Sequence, residues 1–234
     1  MLTEAQRAIR ATGLGSSEIG AVAGLSPYTG PMDVWLVKRG LAEVPETEAM
    51  RLGTALEPVV ASLYEREHLA TGEALKTAAE MWPREAPHGV LRHPQERWVL
   101  ASPDRVVAAA GDRRAPARLV EIKSVAWRSA HHWGDAHDEV PPWYRAQVEW
   151  QMLVTGVPAC DLVALIGGAE LRVYRLAADP ALAGMLLDIG RAFWRTVERG
   201  EAPAVDASET WRRHLEARFP RAGAEMVAAT RDHD

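Results

Sequence analysis

Asp104 is followed, after sixteen intervening residues, by the tripeptide Glu121-Ile122-Lys123. Two acids and a lysine in that order suit metal-assisted attack on a phosphodiester. Carboxylate oxygens are ligands that Mg²⁺ accepts; the ion keeps several waters, and one of them can be activated against a phosphate held by the same ion. A neighbouring lysine can orient that water and offset the charge that develops on the phosphorane. Lys38, Lys76 and Lys123 are the only lysines among 27 basic residues, the rest being arginine. A compact ammonium whose pKa moves on burial differs chemically from a guanidinium, so Lys123 points to a need that arginine does not fill. The same residue types also make cross-strand ion pairs on ordinary surface hairpins, and the spacing alone leaves that alternative open.

Strands must hold these groups. Ser102-Pro103-Asp104-Arg105-Val106-Val107-Ala108 and Arg118-Leu119-Val120-Glu121-Ile122-Lys123-Ser124 both read as extended, with Gly111-Asp112 as the turn. A pivot between Asp112 and Arg113 makes paired residue numbers sum to ~225, which sets Asp104 opposite Glu121. Alternation then puts Glu121 and Lys123 on one face and Val120 and Ile122 in the core.

The remaining pattern is mixed α/β (α+β). Helices are expected over 31–40, over about 51–70 with Leu56, Val59, Val60 and Leu63 at helical spacing, and over 143–155 between Pro141-Pro142 and Gly156. On the last of these, Tyr144, Gln147 and Gln151 fall on one stripe, and such a polar stripe can line a site. A hairpin through Gly167-Gly168 extends the sheet, and a long helix runs from Asp179-Pro180 to Gly200. Near the start, Gly13, Gly15 and Ser16-Ser17 precede the helical pattern Ile19, Val22, Ala23, and a helix start offers free N–H groups to an anion.

A chain of 234 residues, 47% apolar, can bury a full core. No stretch approaches the ~20 apolar residues of a membrane helix, and Met1-Leu2-Thr3-Glu4 lacks a secretory pattern, so a soluble, cytoplasmic protein is expected. The single cysteine, Cys160, excludes an internal disulfide and a cysteine-held iron–sulfur cluster. A formal net charge of −5 is unusual for a DNA binder and confines phosphate contacts to a local channel, for which Arg105, Arg113, Arg114, Arg128 and Arg145 are candidates.

Six blocks, in order, resemble the YqaJ-type viral recombinase nucleases, relatives of phage lambda exonuclease within the PD-(D/E)xK superfamily. They are Gly13 to Ile19, Leu25-Ser26-Pro27-Tyr28, Gly53 to Pro58, Ala101 to Asp104, Glu121-Ile122-Lys123 and Gln147 to Met152. The resemblance runs from about residue 7 to about 206. It implies a restriction-endonuclease-like core with a central mixed sheet flanked by helices over 1–206; the tail over 207–234 is not covered by it and is expected to be a helical extension because Trp211, Leu215 and Phe219 are spaced by four. By the same resemblance Asp104, Glu121, Glu57 and the Ile122 carbonyl are metal ligands and Lys123 is the catalytic lysine. Gln147 supports the reacting group, with Tyr144 and Gln151 held more loosely, and Arg10 and Ser17 grip a 5′ phosphate. The implied activity is Mg²⁺-dependent 5′-to-3′ resection of linear double-stranded DNA for recombination, with Mn²⁺ able to substitute. The alternatives are an endonuclease or single-strand nuclease on the same fold, or a non-catalytic DNA-binding protein. Implied partners are DNA ends, a single-strand annealing protein and further copies of the chain in a ring-shaped trimer.

Overall fold

The structure is a computed structural model that describes residues 3–136 and 138–203. Helix α1 (Glu4–Ala11), strand β1 (Leu14–Gly15), helix α2 (Ser16–Val22), helix α3 (Pro31–Lys38) and the long helix α4 (Glu48–His68) come first. Strand β2 (Ala74–Lys76), helix α5 (Ala78–Met81) and strands β3 (Leu91–Arg92) and β4 (Val99–Ala101) lead to a hairpin of β5 (Arg105–Ala109) and β6 (Asp112–Val125). A 3-10 turn over Trp127–His132, helix α6 (Pro142–Thr155), strands β7 (Ala159–Ile166) and β8 (Glu170–Ala177) and helix α7 (Pro180–Arg199) complete the order.

Five strands make the main sheet in the order β2-β5-β6-β7-β8; β6 and β7 are parallel and the other pairs antiparallel. A small second sheet has the order β1-β4-β3. Because side chains alternate across a strand, β6 serves two cores. Val120 and Ile122 pack with Val107, Val163 and Leu165 against Val60, Ala61 and Tyr64 of α4. Leu119 and Val125 pack with Leu162 and Ala164 on the other face, against Val148 and Met152 of α6. Glu121 and Lys123 share the face of Leu119 and so look toward α6.

The expected register holds where it matters. Arg105 pairs with Val120, Val106 with Leu119 and Val107 with Arg118, each pair summing to the expected value, which sets Asp104 beside Glu121. The pivot differs, however: Ala109 pairs with Asp112, so the tip is Ala110-Gly111 rather than Asp112-Arg113. Two irregularities between Val107 and Ala109 absorb the difference, as bulges do by setting extra residues of one strand against fewer of the other. The expected strand over 102–108 also divides, because Pro103 lacks an N–H for a ladder and Ser102-Pro103-Asp104 bends between β4 and β5.

Helix boundaries follow their chemistry. Pro142 opens α6 at its first turn and Gly156, at φ 70°, closes it in the left-handed region. The Asp179 carboxylate accepts from the Ala181 and Leu182 N–H groups ahead of α7. The extension over 207–234, with Trp211, Leu215 and Phe219, lies outside the described residues, among which no helix is long and apolar enough to cross a membrane.

A third core joins α2, α3, α6 and α7 around Trp35, Trp150, Phe193 and Trp194. Trp150 is fully buried and its indole N–H donates to the Leu100 carbonyl at 3.2 Å, tying α6 to β4. Gly190 lets α7 approach, since a Cβ there would lie 2.7 Å from the Trp150 ring. Trp150→Ala should lower stability by about 3–5 kcal/mol, the usual cost of emptying such a site. Urea unfolding monitored by circular dichroism reads it, and a loss under 1 kcal/mol would contradict this packing.

Candidate active site

The Glu121 carboxylate is 3% exposed and receives three donors. Lys123 Nζ, two residues on along β6, donates to its Oε1 at 2.6 Å. Gln147 Nε2 donates to the same oxygen, and Gln151 Nε2 donates to Oε2 at 2.7 Å. Residues 147 and 151 lie one turn apart on α6, so both amides reach the same carboxylate. Buried charges persist when they are paired and hydrogen-bonded, as this one is. The Lys123 ammonium also sits 4.9 Å from the centroid of the Tyr144 ring, within reach of a cation–π attraction.

Asp104 stands at the end of the β5 ladder, and its Oδ2 accepts from the Ile122 N–H at 2.8 Å. The Ile122 carbonyl leaves the extended strand on the same side as that N–H, past the last β5 pair at Arg105 and Val120. Burial, and then the Glu121 charge, push the Asp104 carboxyl well above its ordinary range; Lys123 and the Ile122 N–H only partly oppose this. Burial works against the Lys123 ammonium, but the Glu121 and Asp104 charges outweigh it and raise its pKa.

Glu57 belongs to a different pair. Its Oε1 accepts from Arg105 Nη1 at 2.6 Å, and the same nitrogen donates to the Asp104 carbonyl at 2.6 Å. Among the described residues no group of three or more His, Cys, Asp or Glu gathers as a ready cage. The donors present are two carboxylates and a carbonyl, all oxygen, with Gln151 Oε1 buried beside Glu121 and without a partner among the described residues. That set fits a hard divalent cation which retains part of its own water, as Mg²⁺ does. A cation would also offset the burial and the Glu121 charge that together raise Asp104.

The amino-terminal candidates form a neighbouring cluster. Arg10 Nη2 donates to Ser17 Oγ at 2.8 Å, and the Glu18 carboxylate accepts from the Gly15 N–H at 2.6 Å. Beneath them Lys38, its side chain 3% exposed, pairs with Glu18 at 2.8 Å and donates to the Arg10 carbonyl at 2.7 Å. Ser16 and Gln151 bridge this cluster to Glu121, their side chains 3.5 Å apart. Sequence reasoning passed over Lys38, although the scarcity of lysine that marks Lys123 marks it equally. Two arginines of the expected channel are otherwise engaged: Arg105 by Glu57, and Arg145 by Glu149 at 2.8 Å.

Folded Asp104 holds its proton more tightly than the unfolded chain, where the pKa is about 3.9, so ionised Asp104 opposes folding above its raised pKa. That cost disappears once pH falls below the unfolded value. Asp104→Asn should therefore raise the thermal midpoint of metal-free protein at neutral pH, with the gain fading as pH falls toward ~4. Calorimetry in chelator from acid to neutral pH checks this, and a midpoint lowered at neutral pH would contradict it.

Residues 7–158 match the family model of the YqaJ-like viral recombinase domain. The uncharacterized protein YqaJ of Bacillus subtilis (strain 168) is 28% identical over 215 residues, 90% of this chain and 61% of that protein. The uncharacterized protein R354 of Acanthamoeba polyphaga mimivirus is 28% identical over 162 residues, 66% of this chain and 27% of that protein. The chain thus spans less than two thirds of the length of these relatives. Among solved structures, the alkaline exonuclease LHK-Exo from Laribacter hongkongensis matches with a TM-score of 0.64 at 22% identity, over 93% of this chain and all of that one. Its complex with dAMP matches with a TM-score of 0.65 at the same identity, over 93% of this chain and 98% of that one. The shared fold is the restriction-endonuclease-like core expected from the sequence.

Proposed function

Because the chain belongs to the YqaJ-like viral recombinase domain family, we propose that it is a Mg²⁺-dependent deoxyribonuclease that resects linear double-stranded DNA from its ends in the 5′ to 3′ direction. The observation that carries this reading is the meeting of Asp104, Glu121 and Lys123 at the open end of the β5 ladder, with Gln147 and Gln151 behind them. The exonuclease fold of LHK-Exo supports it.

In this reading Asp104, Glu121 and the Ile122 carbonyl hold the ion, with Mn²⁺ able to replace Mg²⁺. When bound, the ion supplies Lewis acidity to the phosphate and a lowered pKa to a coordinated water. Lys123, kept protonated by its two acids, points an ammonium at the charge that grows on the phosphate oxygens. Gln147 and Gln151 fix both oxygens of Glu121, so the ligand does not reorient during turnover. Glu57 keeps Arg105 beside Asp104, where both are within reach of the next phosphate. Arg10 and Ser17, already bonded to one another, take the terminal 5′ phosphate; Arg10 supplies planar donors and Ser17 stands in the first turn of α2. A ring-shaped trimer and a single-strand annealing partner complete the proposal. Light scattering is expected to give a trimer mass, and a monomer at working concentration would count against the ring.

The decisive test supplies Mg²⁺ and a linear duplex with or without a 5′ phosphate, alongside closed circular DNA, and follows nucleotide release. Release from the phosphorylated linear strand alone, falling roughly 100- to 1000-fold in Lys123→Ala, is the expected result. Cutting of the circle would make the protein an endonuclease, and DNA binding without any cutting would make it a non-catalytic binder.

A further inference from the structure

Arg105 follows Asp104 directly, but the two side chains part company. Asp104 turns to the Ile122 N–H, whereas Arg105 shares the face of β5 that carries Val107 and borders a groove with Pro58 and Ala61 of α4. There Arg105 Nη1 donates to Glu57 Oε1 and to the Asp104 carbonyl, both at 2.6 Å. One nitrogen thus stands between an anionic and a neutral oxygen, on the flank of the acid that meets Glu121. An ion pair out in solvent contributes little and needs no third partner. This pair is largely withdrawn from solvent, its side chains 19% and 31% exposed, and it is tied to the backbone of Asp104 itself.

Many phosphodiesterases hold two metal ions about 3.5–4 Å apart, one at the attacking oxygen and one at the leaving oxygen. Asp104, Glu121 and the Ile122 carbonyl account for one position. A second ion needs further oxygens beside Asp104, and on the α4 flank these are Glu57 and the Asp104 carbonyl, the two that Arg105 Nη1 already joins. We propose that the Arg105 guanidinium takes the place of a second metal ion, so that this chain binds one divalent cation per active site and Glu57 serves the arginine. The inference rests on the metal-dependent nuclease reading. In hydrolysis the water oxygen bonds to phosphorus and the bond from phosphorus to the 3′ oxygen breaks. That oxygen leaves with the electron pair and takes a proton from water. A second ion would offset its charge; Arg105 does so with Nε and Nη2, which make no hydrogen bond among the described residues. A guanidinium stays charged at any working pH and, being part of the chain, is present whatever the metal concentration.

Mn²⁺ serves as the probe, counted by equilibrium dialysis against an Asp104→Asn blank and by the electron paramagnetic resonance of the bound ion. The wild type should hold one Mn²⁺ per chain at this site. Arg105→Ala should hold two, with the spin-coupled spectrum of a close ion pair, and Glu57→Gln in the same chain should return the count to one. Arg105→Lys, which keeps a cation, should stay at one. Circular dichroism checks that each variant is folded; Arg105→Gln, neutral but of similar length, stands in for an unfolded Arg105→Ala and should also hold two. Two ions in the wild type, or one ion in both the wild type and the neutral variant, overturns the inference. Mg²⁺-dependent hydrolysis of linear duplex separates the two claims. Hydrolysis with two ions in the wild type removes the role of Arg105 and leaves the nuclease, whereas a wild type that binds no Mn²⁺ removes the metal-dependent reading and the inference with it.

Discussion

The buried carboxylate of Glu121, shared among Lys123, Gln147 and Gln151, joins the central strand to the helix that covers it. An ionised group 3% exposed is tolerable only with its lone pairs occupied, so β6 and α6 must keep one relative position. The hydrophobic contacts on either side agree with it. Leu119 and Val125 flank Glu121 and Lys123 along the strand, and Val148 and Met152 flank Gln147 and Gln151 on the helix. The polar centre and the apolar contacts around it therefore specify the same packing, which is the agreement between levels expected of a sequence with a single native state.

Asp104 stands in tension with that arrangement. Its neighbour Glu121 already holds the available amides and the nearest ammonium, so Asp104 is left with one backbone N–H. Two carboxylates this close, with too few donors between them, form a centre under electrostatic strain. Such strain is typical of ligand-binding centres, where stability is given up for pre-organisation. The pair of Glu57 and Arg105 on the opposite flank keeps an acid and a base at the rim, and the Glu57 charge adds a smaller share to the repulsion on Asp104.

Much of this was legible in residue order. Alternation along 118–124 predicted which side chains of β6 share a face, and proline and glycine marked both ends of α6 and α7. The short pieces were not. β1 and β3 have two residues each and β4 has three, too few for a period to appear, and they exist because backbone partners wait for them elsewhere in the chain. Helix α1 shows a Thr3–Gln6 capping box, which was available as a signal and was passed over. Pairings between distant residues, such as Glu57 with Arg105 and Lys38 with Glu18, leave no local trace. Gln147 and Gln151 were placed on one stripe, but that both would close on one carboxylate depends on the crossover from β6 to α6, which spacing does not encode.

The irregularities between Val107 and Ala109 have a consequence for how this chain can change over generations. They lie between the tip at Ala110-Gly111 and the regular rungs that hold Asp104 beside Glu121. Residues gained or lost at the tip are taken up there before the offset reaches those rungs, because a bulge absorbs unequal strand lengths. The far end of the hairpin is thus free to lengthen, shorten or acquire a new surface in descendants of this gene, while the two acids stay in step. Variation is channelled to one end of the hairpin and inheritance of the chemistry is kept at the other.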